Sequence, residues 1–168
     1  MIYPPTFEQK IGFDRLREQV AERCTMRAAR ERLAAHGFST SPSEIVGRQS
    51  LADEMRQLVM MEHDFPGGDY PDIDTVVAKL RVEGAFLDVE EAVTLRRALA
   101  AVGGIVAFIS AREGRYPELW RLTRGVEAFP QIVARIDSIV DDLGAVRDNA
   151  SPALAEIRRA IREREGQA

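Results

Sequence analysis

Residues 88–112 read DVEEAVTLRRALAAVGGIVAFISAR, and this stretch decides the fold. Asp88 and Glu91 stand at the spacing of a capping box, in which each side chain satisfies a free backbone N–H of the other residue. Behind them Val89, Val93, Leu99, Val102, Val106 and Ile109 recur at helical spacing. The period predicts a helix that reaches about Arg112, the longest and most apolar of the chain. Gly103 and Gly104 lie inside it, and each costs roughly 1 kcal/mol relative to alanine. Close packing is the usual compensation, so the stretch reads as the central helix of a bundle.

Towards the N-terminus the same signals repeat. Thr6 to Gln9 has capping-box spacing, and Gly12 suits a left-handed stop. Asp14 reads as the next cap, ahead of an apolar stripe of Phe13, Leu16, Val20 and Cys24. A further turn or helix is expected from Thr25 to His36, closed by Gly37. Ser41-Pro42-Ser43-Glu44 is a stronger start, with a capping serine, proline in the first turn and a glutamate to complete the box. Its helix should run to about Glu62, with Ile45, Ala52, Met55 and Val59 on one face and Leu51 and Leu58 beside them. Phe65 to Pro71 holds two prolines and two glycines and reads as a loop. Asp72 is expected to cap a helix of Ile73, Val76, Val77 and Leu80 that stops at Gly84.

Beyond the central helix, Pro117 to Thr123 reads as a short helix carrying Leu119 and Trp120. After Gly125 and Pro130 comes one with Ile132, Val133, Ile136, Ile139 and Val140. Asp141 to Asn149 is a polar connection. Ser151-Pro152 then opens a last helix with Leu154, Ile157 and Ile161 turned inward and no firm stop signal. Strand signals are essentially absent, so the fold class is all-α, a helical bundle.

Composition agrees. Aromatics are 7% of 168 residues, fewer than a β-sandwich favours. Hydrophobic residues at 45% supply a core, and charged residues at 30% a solvated surface. The net charge of -4 does not by itself argue for nucleic acid, nor does it exclude a local basic face. No apolar run approaches the roughly 18–20 residues needed to cross a bilayer. No leader is expected, and the lone Cys24 makes neither an internal disulfide nor a zinc site, so the cytosol is the expected compartment.

The chain offers little chemistry. Neither phosphate-binding glycine motif is present. Pro66-Gly67-Gly68-Asp69 lacks the lysine and hydroxyl of a phosphate loop and reads as a surface turn. Glu62, His63 and Asp64 fall short of the three or four convergent ligands a metal needs. His36 suits a helix C-terminus, where a cation complements the dipole. Cys24 sits on an apolar stripe without a base beside it and reads as a small hydrophobe. Glu90-Glu91 and Asp141-Asp142 are explained by helix starts and turns. Arg15, Arg17, Arg23, Arg27, Arg30 and Arg32 form the densest basic cluster, interleaved with Asp14, Glu18, Glu22 and Glu31. Arg158, Arg159 and Arg162 share the last helix with Glu156 and Glu163. A phosphate-tracking face and a salt-bridged solvated face both fit these clusters, without interleaved aromatics for base stacking.

Several phrases carry a family resemblance. Tyr3-Pro4-Pro5-Thr6-Phe7-Glu8-Gln9-Lys10-Ile11-Gly12-Phe13-Asp14-Arg15-Leu16-Arg17 resembles the start of the bacterial MutS paralogue family MutS-two, and so does Arg81-Val82-Glu83-Gly84-Ala85-Phe86-Leu87. Arg147-Asp148-Asn149-Ala150-Ser151-Pro152-Ala153-Leu154 with Ile157-Arg158-Arg159 is similar to that family's approach to a long lever helix. The resemblance implies an N-terminal fragment of a MutS-like protein without the mismatch-reading domains. It implies a helical core over 1–125, with 126–168 continuing the core and starting a lever.

In the family a clamp, an ATPase using ATP and Mg and usually a C-terminal Smr nuclease domain follow. Dimerisation, DNA binding and suppression of recombination are its associations, and some members act on collided ribosomes. None of its ATPase or nuclease motifs falls in these residues. No catalytic, cofactor-binding or metal residue is therefore assigned, and the nucleic-acid-binding residues are unassigned. On this view Leu99, Val102, Gly103 and Val106 hold the bundle, and Ser151 and Pro152 set the start of the lever. The rival readings are a free-standing interaction module, which predicts a capped last helix, and a small helical enzyme, which predicts a deep polar pocket. The fragment reading predicts an exposed apolar patch.

Overall fold

Among the described residues helices are the regular elements of the chain. The computed structural model describes residues 6–68, 70–141 and 143–166. The opening Tyr3-Pro4-Pro5, Asp69 and Asp142 lie outside the described residues. The helices are α1 (Phe7–Ile11), α2 (Phe13–Arg23), α3 (Arg27–Ala34), α4 (Pro42–Met61), α5 (Asp74–Leu80), α6 (Val89–Ser110), α7 (Pro117–Thr123), α8 (Pro130–Asp137) and α9 (Pro152–Glu165). Among the described residues the one β feature is an isolated antiparallel bridge between Val140 and Val146. The chain is all-α, as the periodicity requires.

Side-chain capping explains where α4, α6 and α9 begin. The box at the head of α6 closes in both directions: Asp88 N–H donates to Glu91 Oε2 at 2.9 Å, and Glu91 N–H to Asp88 Oδ1 at 2.8 Å. Lys79 Nζ adds a 2.6 Å bond to the same Glu91 oxygen and sits 5.5 Å from the Phe86 ring centroid. Ser41 and Ser151 cap α4 and α9, accepting from Glu44 N at 3.4 Å and Leu154 N at 3.2 Å. Prolines at 42, 117, 130 and 152 occupy first turns, where their missing N–H costs nothing.

Other starts differ from the sequence reading. Thr6 makes no side-chain capping bond. Gly12, at φ 71°, both ends α1 and precedes α2, so Asp14 falls inside the first turn of α2. That φ favours glycine and fixes the break between the two helices. Glu44 does not return to Ser41; its carboxylate is taken by Ser39 and by Arg48 one turn on, which leaves the box half-formed. Asp72 accepts from Asp74 N at 3.0 Å ahead of α5, whose N-cap is Ile73. The third helix begins at Arg27 and not at Thr25.

The chain divides into two units, one of Met1–Phe65 with Ile109–Arg124, the other of Pro66–Phe108 with Gly125–Ala168. In the first unit α4 packs on α7, and α2 packs on both α1 and α3. Leu58, Ile109, Tyr116 and Leu119 are its buried side chains. Phe38 lies against Phe13 and Phe7, with ring centroids at 5.6 and 6.3 Å.

Here the expected faces are corrected. Leu58 is fully buried, whereas Val59 is 63% exposed and Ile45, Val46, Met55, Met60 and Met61 are exposed with it. The Leu16–Val20 stripe of α2 is exposed too. The cause on α4 is polar. Glu54 turns to the N-terminus of α7, accepting from Glu118 N and Leu119 N, both at 2.9 Å through Oε2. Residues four apart share a face, so Leu58 follows Glu54 inward and Met55 and Val59 roll out.

In the second unit Val76, Ala98 and Val140 are buried. A Cβ on Gly103 would meet Ala128 Cβ at 3.7 Å, and one on Gly104 would meet Pro66 at 3.6 Å, both ordinary contacts. The glycines therefore face connecting segments, with room for a methyl group. Gly103→Ala is expected to raise stability by up to about 1 kcal/mol through helix propensity, read as a higher urea midpoint at unchanged slope. Val102, assigned to the core, is exposed, and α6 ends at Ser110.

One further expectation is overturned. By length and composition α6 is long and apolar enough to cross a membrane, where the sequence reading expected no apolar run to approach that length. Arg96 and Arg97 interrupt the run, but Ala98 to Ser110 carries no charge, and a window tolerating two arginines reaches the required length. Arg96 is bound to Asp137 of α8, with Nε to Oδ1 at 2.6 Å.

Candidate functional site

The site the sequence singles out is the root of α9, and it is built from polar ties. After α8 the chain passes Val140, turns at Gly144 and returns at Val146. The turn is closed by Asp141 N–H to Ala145 O at 2.9 Å and Arg147 N–H to Ile139 O at 2.8 Å. Asp141 Oδ1 accepts from Leu143 N at 2.9 Å and Ala145 N at 2.8 Å, an Asx-type brace. The expected polar connection is thus a small pinned turn.

Arg147 then fastens this turn to α8. Its Nε donates to Asp137 O at 2.7 Å and Val140 O at 3.2 Å. The Asp137 carbonyl lies at the end of α8, where the helix leaves acceptors unpaired and favours a cation, and Val140 stands three residues on, in the bridge to Val146. The Asp137 carboxylate holds Arg96, so α6, α8 and the turn are joined in series.

Arg158 fastens the turn to α9. It donates through Nη1 to Val146 O at 3.1 Å and to Asp148 Oδ1. Arg162, one helical turn on, reaches Asp148 Oδ2 at 3.1 Å. The hydrogen bond from Arg158 holds the Asp148 carboxyl below its ordinary range; desolvation opposes this and the two guanidinium charges reinforce it. Ser151 caps the helix between these ties.

Apolar packing contributes little at this root. No residue of α9 is buried, and only Leu154, Ala155 and Arg158 are half-buried. Ile157 and Ile161, expected to face inward, are 57% and 50% exposed. Residues 159–165 are exposed on every side.

A second polar centre, in the first unit, is not legible in the sequence. Glu62 ends α4, and its side chain is only 9% exposed. It accepts from Arg112 Nε at 3.1 Å, Arg115 Nη1 at 2.6 Å and Tyr116 Oη at 3.0 Å. Burial first, and the bond to Glu62 second, push the Tyr116 phenol above its ordinary range. In the sequence Glu62 stands beside His63 and Asp64 as part of a weak ligand set. In the structure it serves instead to clamp the segment between α6 and α7.

The remaining flagged residues resolve locally. In the N-terminal cluster Arg17 pairs with Glu8 at 3.0 Å, and Arg27 with Glu31 at 3.4 Å. Arg23 and Arg30 donate to Gln19 O at 2.9 Å and Cys24 O at 2.8 Å. This is a mixed-charge face bound to its own backbone. Cys24 is half-buried, with Sγ 3.4 Å from Val20 O. His36 Nε2 lies 2.8 Å from Arg48 Nη1. Among the described residues no group of three His, Cys, Asp or Glu is placed to hold a metal.

Fold and site together define an all-α segment whose last helix is exposed and fastened at its root. No family model matches the chain. It is 34% identical over 152 residues to an Endonuclease MutS2 of Symbiobacterium thermophilum, an alignment covering 90% of this chain and 19% of that protein. It is 31% identical to the Endonuclease MutS2 of Gemmatimonas aurantiaca over 94% of this chain and 20% of the relative, and 28% identical to that of Pelotomaculum thermopropionicum over 91% and 19%. Over about nine tenths of its length the chain is similar to these Endonuclease MutS2 proteins, which is consistent with a fragment of a MutS2 protein, of the MutS-two family named above. It spans about a fifth of the length of the curated relatives it matches.

Proposed function

We propose that this chain is a connecting, force-bearing segment of a MutS2-type protein, with no catalytic group of its own. In this reading 1–125 form a helical core, 126–168 continue it, and α9 is the first part of a lever. Movement driven by ATP and Mg in an ATPase elsewhere passes along rigid helices to a DNA-holding clamp. The whole protein would act as a homodimeric, cytoplasmic DNA-binding ATPase with an endonuclease domain, controlling recombination or repair.

The observation that carries the reading is the root of α9. A helix exposed on all sides beyond Arg158, yet tied at its base to α8, suits a lever better than a core element. The exposed apolar residues of α4 lend further support, since large exposed apolar patches mark surfaces that other protein covers.

A break inside α9 tests the reading. Proline in a helix interior removes a backbone bond and kinks the helix. In the full-length MutS2-type protein carrying this segment, Ile157→Pro should leave basal ATP hydrolysis unchanged and abolish its response to DNA. Intact stimulation by DNA, or loss of the basal rate, would overturn it.

A further inference from the structure

We infer that the direction of α9 is set by an ionic clasp, Asp148 with Arg158 and Arg162, and not by apolar packing, so that its joint loosens with salt. This concerns the helix that the lever reading invokes and takes its functional meaning from that reading. The geometry itself stands on the described residues alone.

Two sets of ties meet at the joint, and they differ in kind. Arg147 binds two neutral backbone acceptors, Asp137 O at the end of α8 at 2.7 Å and Val140 O just beyond it at 3.2 Å. These fix the turn to α8. The ties from the turn to α9 run through Arg158 and Arg162, and both converge on the one Asp148 carboxylate. Among the described residues the only neutral partner on that side is Val146 O, at 3.1 Å from Arg158. The side chains of Asp148 and Arg162 are mostly exposed, at 55% and 64%.

Apolar contact offers no substitute. Leu154 is the single large apolar side chain of α9 that is not exposed. It lies in the first turn, close to the pivot, where it has little leverage on the angle. Arg158 lies four residues beyond Leu154, about 6 Å further along the axis at 1.5 Å per residue. Arg162 lies about another 6 Å out. A restraint further from the pivot resists tilting more strongly, so the two arginines govern the angle.

Exposed ion pairs weaken as salt rises, because the screening length falls from about 10 Å at 0.1 M to about 3 Å at 1 M. The Ser151 cap is a short-range bond to a backbone N–H and holds helix content, not direction. Salt should therefore loosen the joint without melting the helix. Arg158 and Asp148 are positioning residues in this scheme.

The experiment uses this chain with Cys24→Ser and nitroxides at Gln131→Cys on α8 and Glu163→Cys on α9. Pulsed electron spin resonance gives the distance distribution, and circular dichroism gives helix content. At low salt the distribution should be narrow, and it should widen at about 1 M salt with helix content unchanged. Asp148→Asn should show the wide distribution already at low salt and gain nothing from added salt. Arg158→Lys, which keeps the charge on a shorter side chain and so weakens the joint contact of Nη1 with Val146 O and Asp148, should fall between the two. A width indifferent to salt in the parent chain overturns the inference. So does widening caused by Leu154→Ala but by neither polar variant. Loss of helix content in Asp148→Asn at low salt would make the clasp a folding element and also overturn it. None of these readouts depends on ATP or DNA, so failure of the lever reading is distinguishable.

Discussion

Leu58→Ala is expected to destabilise the first unit by about 3 kcal/mol, whereas Val59→Ala, one residue on, should change stability by less than about 1 kcal/mol. The two side chains are close in size and adjacent on one helix. Their difference lies in the roll of α4, which leaves Leu58 without exposure and Val59 63% exposed. Removing Leu58 costs its transfer free energy and leaves a cavity that its neighbours close only in part. Removing Val59 opens no cavity. Urea unfolding of the two variants checks this, with the midpoint moving for Leu58→Ala and nearly still for Val59→Ala. Equal losses would mean that Met55 and Val59 face the interior, as the hydrophobic spacing suggests. Glu54→Gln belongs in the same series, since it weakens the bonds to Glu118 N and Leu119 N that set the roll.

That contrast shows what the sequence can and cannot carry. Helix starts are local. Ser41, Asp88 and Ser151 bond to backbone three residues away, and the prolines at 117 and 130 act where they stand. Their spacing alone reveals them. The roll of α4 is not local: it depends on Glu54 meeting backbone 64 and 65 positions later. A stripe of Ile45, Ala52, Met55 and Val59 satisfies helical periodicity equally well, and periodicity cannot choose between neighbouring faces. On α9 the error runs the same way. Leu154, Ile157 and Ile161 are correctly spaced for a buried stripe, but only Leu154 finds partial cover.

The candidate site is half legible for the same reason. Ser151-Pro152 announces itself by chemistry. Arg158 and Arg162 stand out only as members of a basic cluster, and nothing in their spacing points to Asp148. The partner lies 10 and 14 residues upstream, across a turn whose closure depends on a bridge between Val140 and Val146. The family resemblance marks this phrase as important without saying how its side chains act. In the folded chain they fasten one helix to the end of another.

Glu62→Ala is expected to cost about 2–3 kcal/mol. The carboxylate accepts from two guanidinium groups and a phenol. Its removal leaves the Tyr116 hydroxyl buried without this partner and frees the segment between α6 and α7 from the end of α4. Arg115 is more than half exposed, so part of the charge pairing is screened and the loss stays below that of a fully buried pair. Glu62→Gln should recover part of the loss, because an amide oxygen still accepts from Tyr116. The same contact gives an alkaline signature. Burial and the Glu62 bond raise the Tyr116 phenol above its ordinary value, so the folded state favours the protonated form. Stability from this source is fully present at neutral pH, below the unfolded phenol's range. It is lost as pH rises through the higher folded value. Urea midpoints followed from neutral into alkaline solution should fall for the parent chain and fall less for Tyr116→Phe. A parallel fall in both would assign the alkaline loss to other groups.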